Sequence, residues 1–191
     1  ACTLAEGIPA IVAGNQHYLQ EFSDFFCVSV PLRGVDGQLL GALDLTGIGT
    51  RNAGTMLERL KHAALAIENN FFHTLPGCQL LELQHDPRLL DSPLQALLAV
   101  HDDGTVAAAN RAAQQLLGIG SYQPDALSLW QLLDCSSQPR LDFSPRLLRL
   151  ADGSRLYAKL NGREQRKTVT FTQPHTKLGS DSSVNARFDQ A

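Results

Sequence analysis

Six residues of this chain carry chemically useful side chains on otherwise apolar segments. Cys27 and Ser29 sit in FFCVSV, and Asp44 sits in LLGALDLTG. His101 and Asn110 flank DDGTVAAA, and Trp130 sits in SLWQLL. Small-molecule pockets are mostly apolar with a few placed polar groups, so these six are candidate ligand-binding residues. Each also has a plain structural reading. Asn110 suits a helix cap, Trp130 a core, and Asp44 a bond to a neighbouring backbone N–H.

No catalytic set accompanies them. Gly47-Ile48-Gly49-Thr50 lies between a strand-like and a helix-like segment, where a dinucleotide-binding turn belongs. The third glycine of that fingerprint falls on Asn52, and Gly54 comes two residues late. The strands before it form an Asp-Gly hairpin rather than a βαβ crossover, so the stretch reads as a strand-to-helix loop. Neither a phosphate-binding G-x-x-x-x-G-K-[ST] nor a G-x-S-x-G elbow occurs. Histidines 17, 62, 73, 85, 101 and 175 show no H-x-x-x-H or H-E-x-x-H spacing, so no metal site is expected. Asp102 and Asp103 are adjacent and diverge on a turn, which suits turn formation better than paired-carboxylate catalysis. Arg163–Lys167 is mildly basic without interleaved aromatics, and reads as a solvated loop rather than a nucleic-acid patch. The expectation is a chain that is not an enzyme and needs no cofactor.

The elements that position these residues are marked by three Asp-Gly turns: Val35-Asp36-Gly37, Asp102-Asp103-Gly104 and Ala151-Asp152-Gly153. Asp-Gly between apolar runs is a strong hairpin signal, because glycine accepts positive φ. In the first hairpin Phe26, Val28 and Val30 share one face, and Phe25, Cys27 and Ser29 the other. The returning arm, 39–45, is apolar on both faces except at Asp44, which predicts a central strand. Residues 1–6 read as a helix end, 10–13 as a short strand, and Asn15 as the cap of a helix running to about Phe22 or Asp24. The spacing of Met56, Leu60, Ala63, Ala64, Ile67 and Phe71 predicts a helix over 55–72. Its stripe is broad enough to pack on its own sheet and also to meet a partner.

Pro76-Gly77, Asp86-Pro87 and Ser92-Pro93 mark a connector over 74–93 with a short ordered piece at 79–83. Strands are expected at 97–100 and 105–109, then a helix over 111–117 capped by Asn110 and closed by Gly118. A helical turn follows at 127–133. Residues 154–160 form a strand with one wet face, and 169–171 a final strand. From 173 the chain turns polar, as a linker does.

The 191 residues are 43% hydrophobic and 18% charged, with net charge −3 and mean hydropathy −0.11. That describes one domain or two small ones with material for a core, and no bulk attraction to nucleic acid or anionic membrane. No apolar run reaches the roughly 20 residues of a membrane helix. No signal peptide is visible, and Cys2, Cys27, Cys78 and Cys135 are scattered as in a reducing cytoplasm. The first residue is Ala1 rather than Met, which fits a fragment or processed product.

LAEGIPAIVAGNQHYLQEF, then FFCVSVPLRGVDGQLLGALDLTG, then AALAIENNFF resembles the C-terminal part of a GAF domain. The match is to the sensory region of acetoin-catabolism-type regulators, activators of sigma-54-dependent transcription, and covers residues 1–72. SPLQALLAVHDDGTVAAANRAAQQLLGI resembles the opening of a PAS domain, extending to about residue 172. The resemblance implies an α+β chain of antiparallel sheets with flanking helices. Its parts are a partial GAF domain at 1–73, the connector at 74–93, a PAS-like domain at 94–172 and a linker at 173–191 toward an absent ATPase. It implies a bacterial, cytoplasmic signal sensor that contacts DNA only through a domain absent here. The implied effector is an acetoin-like small carbonyl compound, and the implied assembly a homodimer through helix 55–72. A ligand-free dimerisation module, or the sensor of another signalling protein, is the alternative.

Overall fold

The structure is a computed structural model that describes residues 2–49, 52–119, 127–134, 140–161 and 169–170. Helix α1 (Cys2–Glu6) and strand β1 (Ala10–Ala13) lead into β2 (Phe25–Arg33) and β3 (Leu39–Ile48), which make an antiparallel sheet of order β1-β2-β3. The β2–β3 hairpin closes through Gly34 N–H to Gln38 O (2.9 Å) and Gly37 N–H to Gly34 O (2.9 Å), with Gly37 at φ +80°. Helix α2 (Ala53–Phe71) crosses one face of this sheet. It presses Ala53, Leu60 and Ala64 onto the buried side chains of Phe26, Val28 and Val30. Burying each such large apolar side chain contributes about 1.5–3 kcal/mol.

Two expectations change here. The returning arm β3 is an edge strand, and β2 is the central one, because β3 pairs with β2 alone among the described residues. Its apolar pattern cannot reveal how many neighbours it has. The helix expected after Asn15 is instead two 3-10 turns, Gly14–Gln16 and Gln20–Phe22. Between them His17 and Leu19 are extended, and the Gln16 side chain accepts a bond from Ala13 N–H (2.9 Å), capturing the turn locally.

Gly47 lies opposite Phe26, whose ring sits over it, and a Cβ at 47 would fall 2.5 Å from two ring carbons. Gly47→Ala is therefore expected to cost about 1–3 kcal/mol by displacing a core aromatic. Gly41→Ala on the same strand meets open space and is expected to be near neutral, with urea denaturation reading both.

The second sheet has order β6-β5-β4-β9-β8 and is antiparallel throughout. Its strands are β4 (Gln79–Gln84), β5 (Ala96–Val100), β6 (Val106–Ala109), β8 (Arg146–Arg149) and β9 (Arg155–Asn161). Helices α3 (Arg111–Leu116) and α4 (Leu129–Leu132) intervene after β6, followed by the two-residue strand β7 (Arg140–Leu141), which pairs with β10 (Val169–Thr170). All of β5 is buried, because both of its faces are covered. One face packs Leu81, Leu98, Val106 and Leu156 under Ala113, Leu129 and Trp130. The other packs Leu80, Leu97 and Ala99 under Phe72.

The ordered piece expected inside a connector is thus the middle strand of this sheet, flanked by β5 and β9. The wet face expected on β9 is only partly wet: Lys159 is 9% exposed, opposite Glu82 on β4. Cys135, Phe171, the 163–167 cluster and the 173–191 linker lie outside the described residues.

Candidate functional site

The six sequence candidates do not converge. The hairpin register places Ser29 opposite Asp44 and Cys27 opposite Thr46, on the sheet face turned away from α2. There Cys27 Sγ is 3.3 Å from Thr46 Oγ1, and Asp44 is exposed. His101 lies elsewhere, with Nδ1 3.1 Å from Gly77 O and 3.6 Å from Cys78 Sγ. Burial, then the charge of Asp102, pushes the Cys78 thiol up, away from a reactive thiolate. Trp130 covers the Asp102-Asp103-Gly104 turn and donates from Nε1 to Asp103 O at 3.2 Å. Asn110 alone of the six borders a large cleft among the described residues.

That cleft, of about 1300 Å³, opens between the end of β2 with the β2–β3 turn, the second half of α2, and α3. It exists because α2 outruns its first sheet. The stripe Leu60, Ala64 is continued four residues on by Glu68, a carboxylate where an apolar side chain would continue the packing. Glu68 Oε1 accepts from Arg33 N–H at 2.8 Å. The Arg33 guanidinium donates to Gly37 O (3.1 Å) and Gly7 O (2.9 Å), pinning the turn and the α1–β1 loop on that side. Across the cleft stands Arg111, the first residue of α3.

Burial raises the Glu68 carboxyl above its ordinary 4.5, against the lowering effect of the Arg33 N–H bond and the charges of Arg33 and Arg111. The native state therefore holds this proton more tightly than the unfolded chain. Stability from this group is fully present below the unfolded value and is lost as pH rises through the raised one. Glu68→Gln keeps an acceptor for Arg33 N–H and removes the titration. The melting temperature of the variant relative to the original chain is expected to climb as pH goes from 4 toward 7, read by thermal melts at a series of pH values.

Asn110 borders the cleft but its amide is engaged inward. Its Oδ1 accepts from Ala113 N–H (2.8 Å) and Leu97 N–H (2.9 Å), and its Nδ2 donates to Gln95 O (2.9 Å) and Asn69 Oδ1 (3.0 Å). Its role here is the cap of α3 and a tie to α2, while the cleft-facing groups that sequence reasoning missed are Arg33, Glu68 and Arg111. The spacing of Glu68 from Leu60 and Ala64 was the signal available for it.

The arrangement offers guanidinium donors on two walls and a carboxylate acceptor between them, suited to holding a small polar molecule by hydrogen bonds. Among the described residues no group of three or more His, Cys, Asp or Glu is placed to hold a metal ion. Among the described residues no helix is long and apolar enough to cross a membrane.

No protein-family model matches the chain. A signal-transduction and transcriptional-control protein of Clostridium beijerinckii is 28% identical over 116 residues, which is 60% of this chain and 18% of that protein. The chain thus spans under a fifth of the relative's length, and the likeness is to a regulator in general, with nothing specific to acetoin. Among solved structures, the E. coli DhaR(N)–DhaL complex is similar at 13% identity over 82% of this chain and 61% of that chain, with a TM-score of 0.23. At that score the likeness carries no argument.

Proposed function

We propose that this chain is a sensory region of a transcriptional regulator and that the cleft between its two sheets receives the effector. One observation carries the reading: the cleft walls come from both sheet units, which α2 links. A molecule bound there favours one arrangement of the units over another, which is what a sensor needs. The distant likeness to a transcriptional-control protein supports the same direction. In this reading the first sheet with α2 is the C-terminal part of a GAF-type fold. The second sheet is PAS-like and begins at Gln79, since β4 is its middle strand.

The effector class is a small carbonyl compound of the acetoin type, its oxygens taken by Arg33 and Arg111 and a hydroxyl by Glu68. Isothermal titration calorimetry with acetoin and a panel of small hydroxyketones tests it. Binding that weakens at least fivefold in Arg111→Ala is expected, and a folded chain that binds none of them refutes the effector class. The alternative, ligand-free dimerisation through helix 55–72, has less to build on, because no large apolar side chain of α2 is exposed. A stable dimer by sedimentation velocity, abolished by Ala63→Glu, would favour it instead.

A further inference from the structure

Residues 86–95, between β4 and β5, are held by Gln84 Nε2 of β4, which donates to Leu94 O (3.0 Å), and are tied at two further places by different chemistry. At the first, Leu90 is buried and Asp91 adopts φ +61°, a left-handed conformation that costs a non-glycine residue energy. The Asp91 N–H donates to Glu82 Oε2 (2.9 Å), and its Oδ1 accepts from Lys159 Nζ (2.5 Å). Lys159 Nζ is also 3.6 Å from Glu82 Oε2, and Glu82 is 1% exposed. Two buried charges of opposite sign are thus held closed by a strained residue on a loop.

At the second place the ties lead to α2. Asn69, 7% exposed near the end of that helix, donates from Nδ2 to Pro93 O (3.1 Å). Its Oδ1 accepts from Asn110 Nδ2, which also holds Gln95 O. One asparagine of α2 therefore grips both the loop and the residue that caps α3.

We propose that 86–95 is a strap whose closure and the docking of α2 on the second sheet form one coupled unit, joined at the Asn69–Asn110 node and latched by Glu82, Lys159 and Asp91. Moving α2 breaks the Asn69 bonds and frees the strap. Opening the latch returns Glu82 and Lys159 to water and lets Asp91 leave its strained conformation, which offsets part of the lost contacts. Coupling of this kind is reciprocal, so releasing the latch loosens the end of α2 by the same factor. It does not require any ligand in the cleft, and so stands or falls apart from the function proposed above.

Hydrogen exchange of the whole chain, resolved by residue, tests it. Asn69→Asp still accepts from Asn110 but cannot donate to Pro93 O, and Lys159→Gln removes the latch charge. Asn69→Asp is expected to speed exchange of the Asp91 amide about tenfold, and Lys159→Gln that of the Phe72 amide by a similar factor. The ladder amides of β2 and β3 are expected to keep their rates in both. Each variant loosening only its own end, or exchange rising uniformly across both sheets, would overturn the proposal. Should Lys159→Gln fail to fold, Lys159→Arg is the milder latch variant, judged by the same Phe72 amide. Should Asn69→Asp fail, that amide in the Lys159 variants decides alone.

Discussion

Replacing Asn110 by alanine is expected to destabilise the chain by about 4 kcal/mol, from a lost helix cap of about 1 kcal/mol and three buried partners left unpaired at about 1 kcal/mol each, the low end of the usual cost. Asn110 Oδ1 serves the amides of Ala113 and Leu97, and Nδ2 serves Gln95 O and Asn69 Oδ1. Leu97 is fully buried and Asn69 and Gln95 nearly so, so water does not replace the lost amide cheaply. Asn110→Asp keeps both acceptor roles, and hence the cap, while losing both donor roles. Its stability is expected to lie between the two. Urea denaturation orders the three chains, and a loss under about 1 kcal/mol for the alanine variant would mean that these bonds are readily replaced by water.

Gly104→Ala is expected to cost about 3–4 kcal/mol, the sum of left-handed backbone strain and displacement of a packed aromatic. Gly104 has φ +89°, and a Cβ there would lie 2.3 Å from Trp130 Nε1 and 2.9 Å from Cε2. Trp130 belongs to the main core of the second sheet, so moving it disturbs Leu129 and Val106 as well. Gly153→Ala is the matched control. It shares the positive φ, at +85°, but its Cβ meets open space, so it isolates backbone strain of about 1–2 kcal/mol. Trp130 is the single tryptophan of the chain, so its fluorescence reports the displacement directly. A red-shifted emission is expected in Gly104→Ala and an unchanged one in Gly153→Ala.

Local chemistry was readable from the sequence, and non-local pairing was not. The Asp-Gly turns, the α2 periodicity and the Asn110 cap are each decided within a few residues, and each forms as the sequence implies. The ordered piece at 79–83 is read as part of a connector because Pro76-Gly77 and Asp86-Pro87 bracket it with turn signals. Its central place depends on β9, far along the chain. The edge position of β3 was hidden for the same reason. Glu82, the one charged residue of Gln79–Gln84, is buried for the same reason: Lys159 and the 86–95 loop, which enclose it, meet it only in the tertiary fold.

The candidate site divides along the same line. Cys27, Ser29 and Asp44 come together because a hairpin sets their register locally. His101 and Trp130 both lie beside the second Asp-Gly turn, and the turn itself absorbs Trp130. The cleft residues Arg33, Glu68 and Arg111 belong to three elements that only the tertiary fold assembles.

An amide-resolved NMR titration with acetoin and the same small hydroxyketones tests most directly whether the signal enters between the two sheets. The account predicts that a binding compound shifts the amides of Arg33, Glu68, Asn69 and Arg111 together, and leaves Cys27, Ser29 and Asp44 in place. Shifts centred on Cys27, Ser29 and Asp44, or no shifts from any of the compounds in a folded chain, would contradict it.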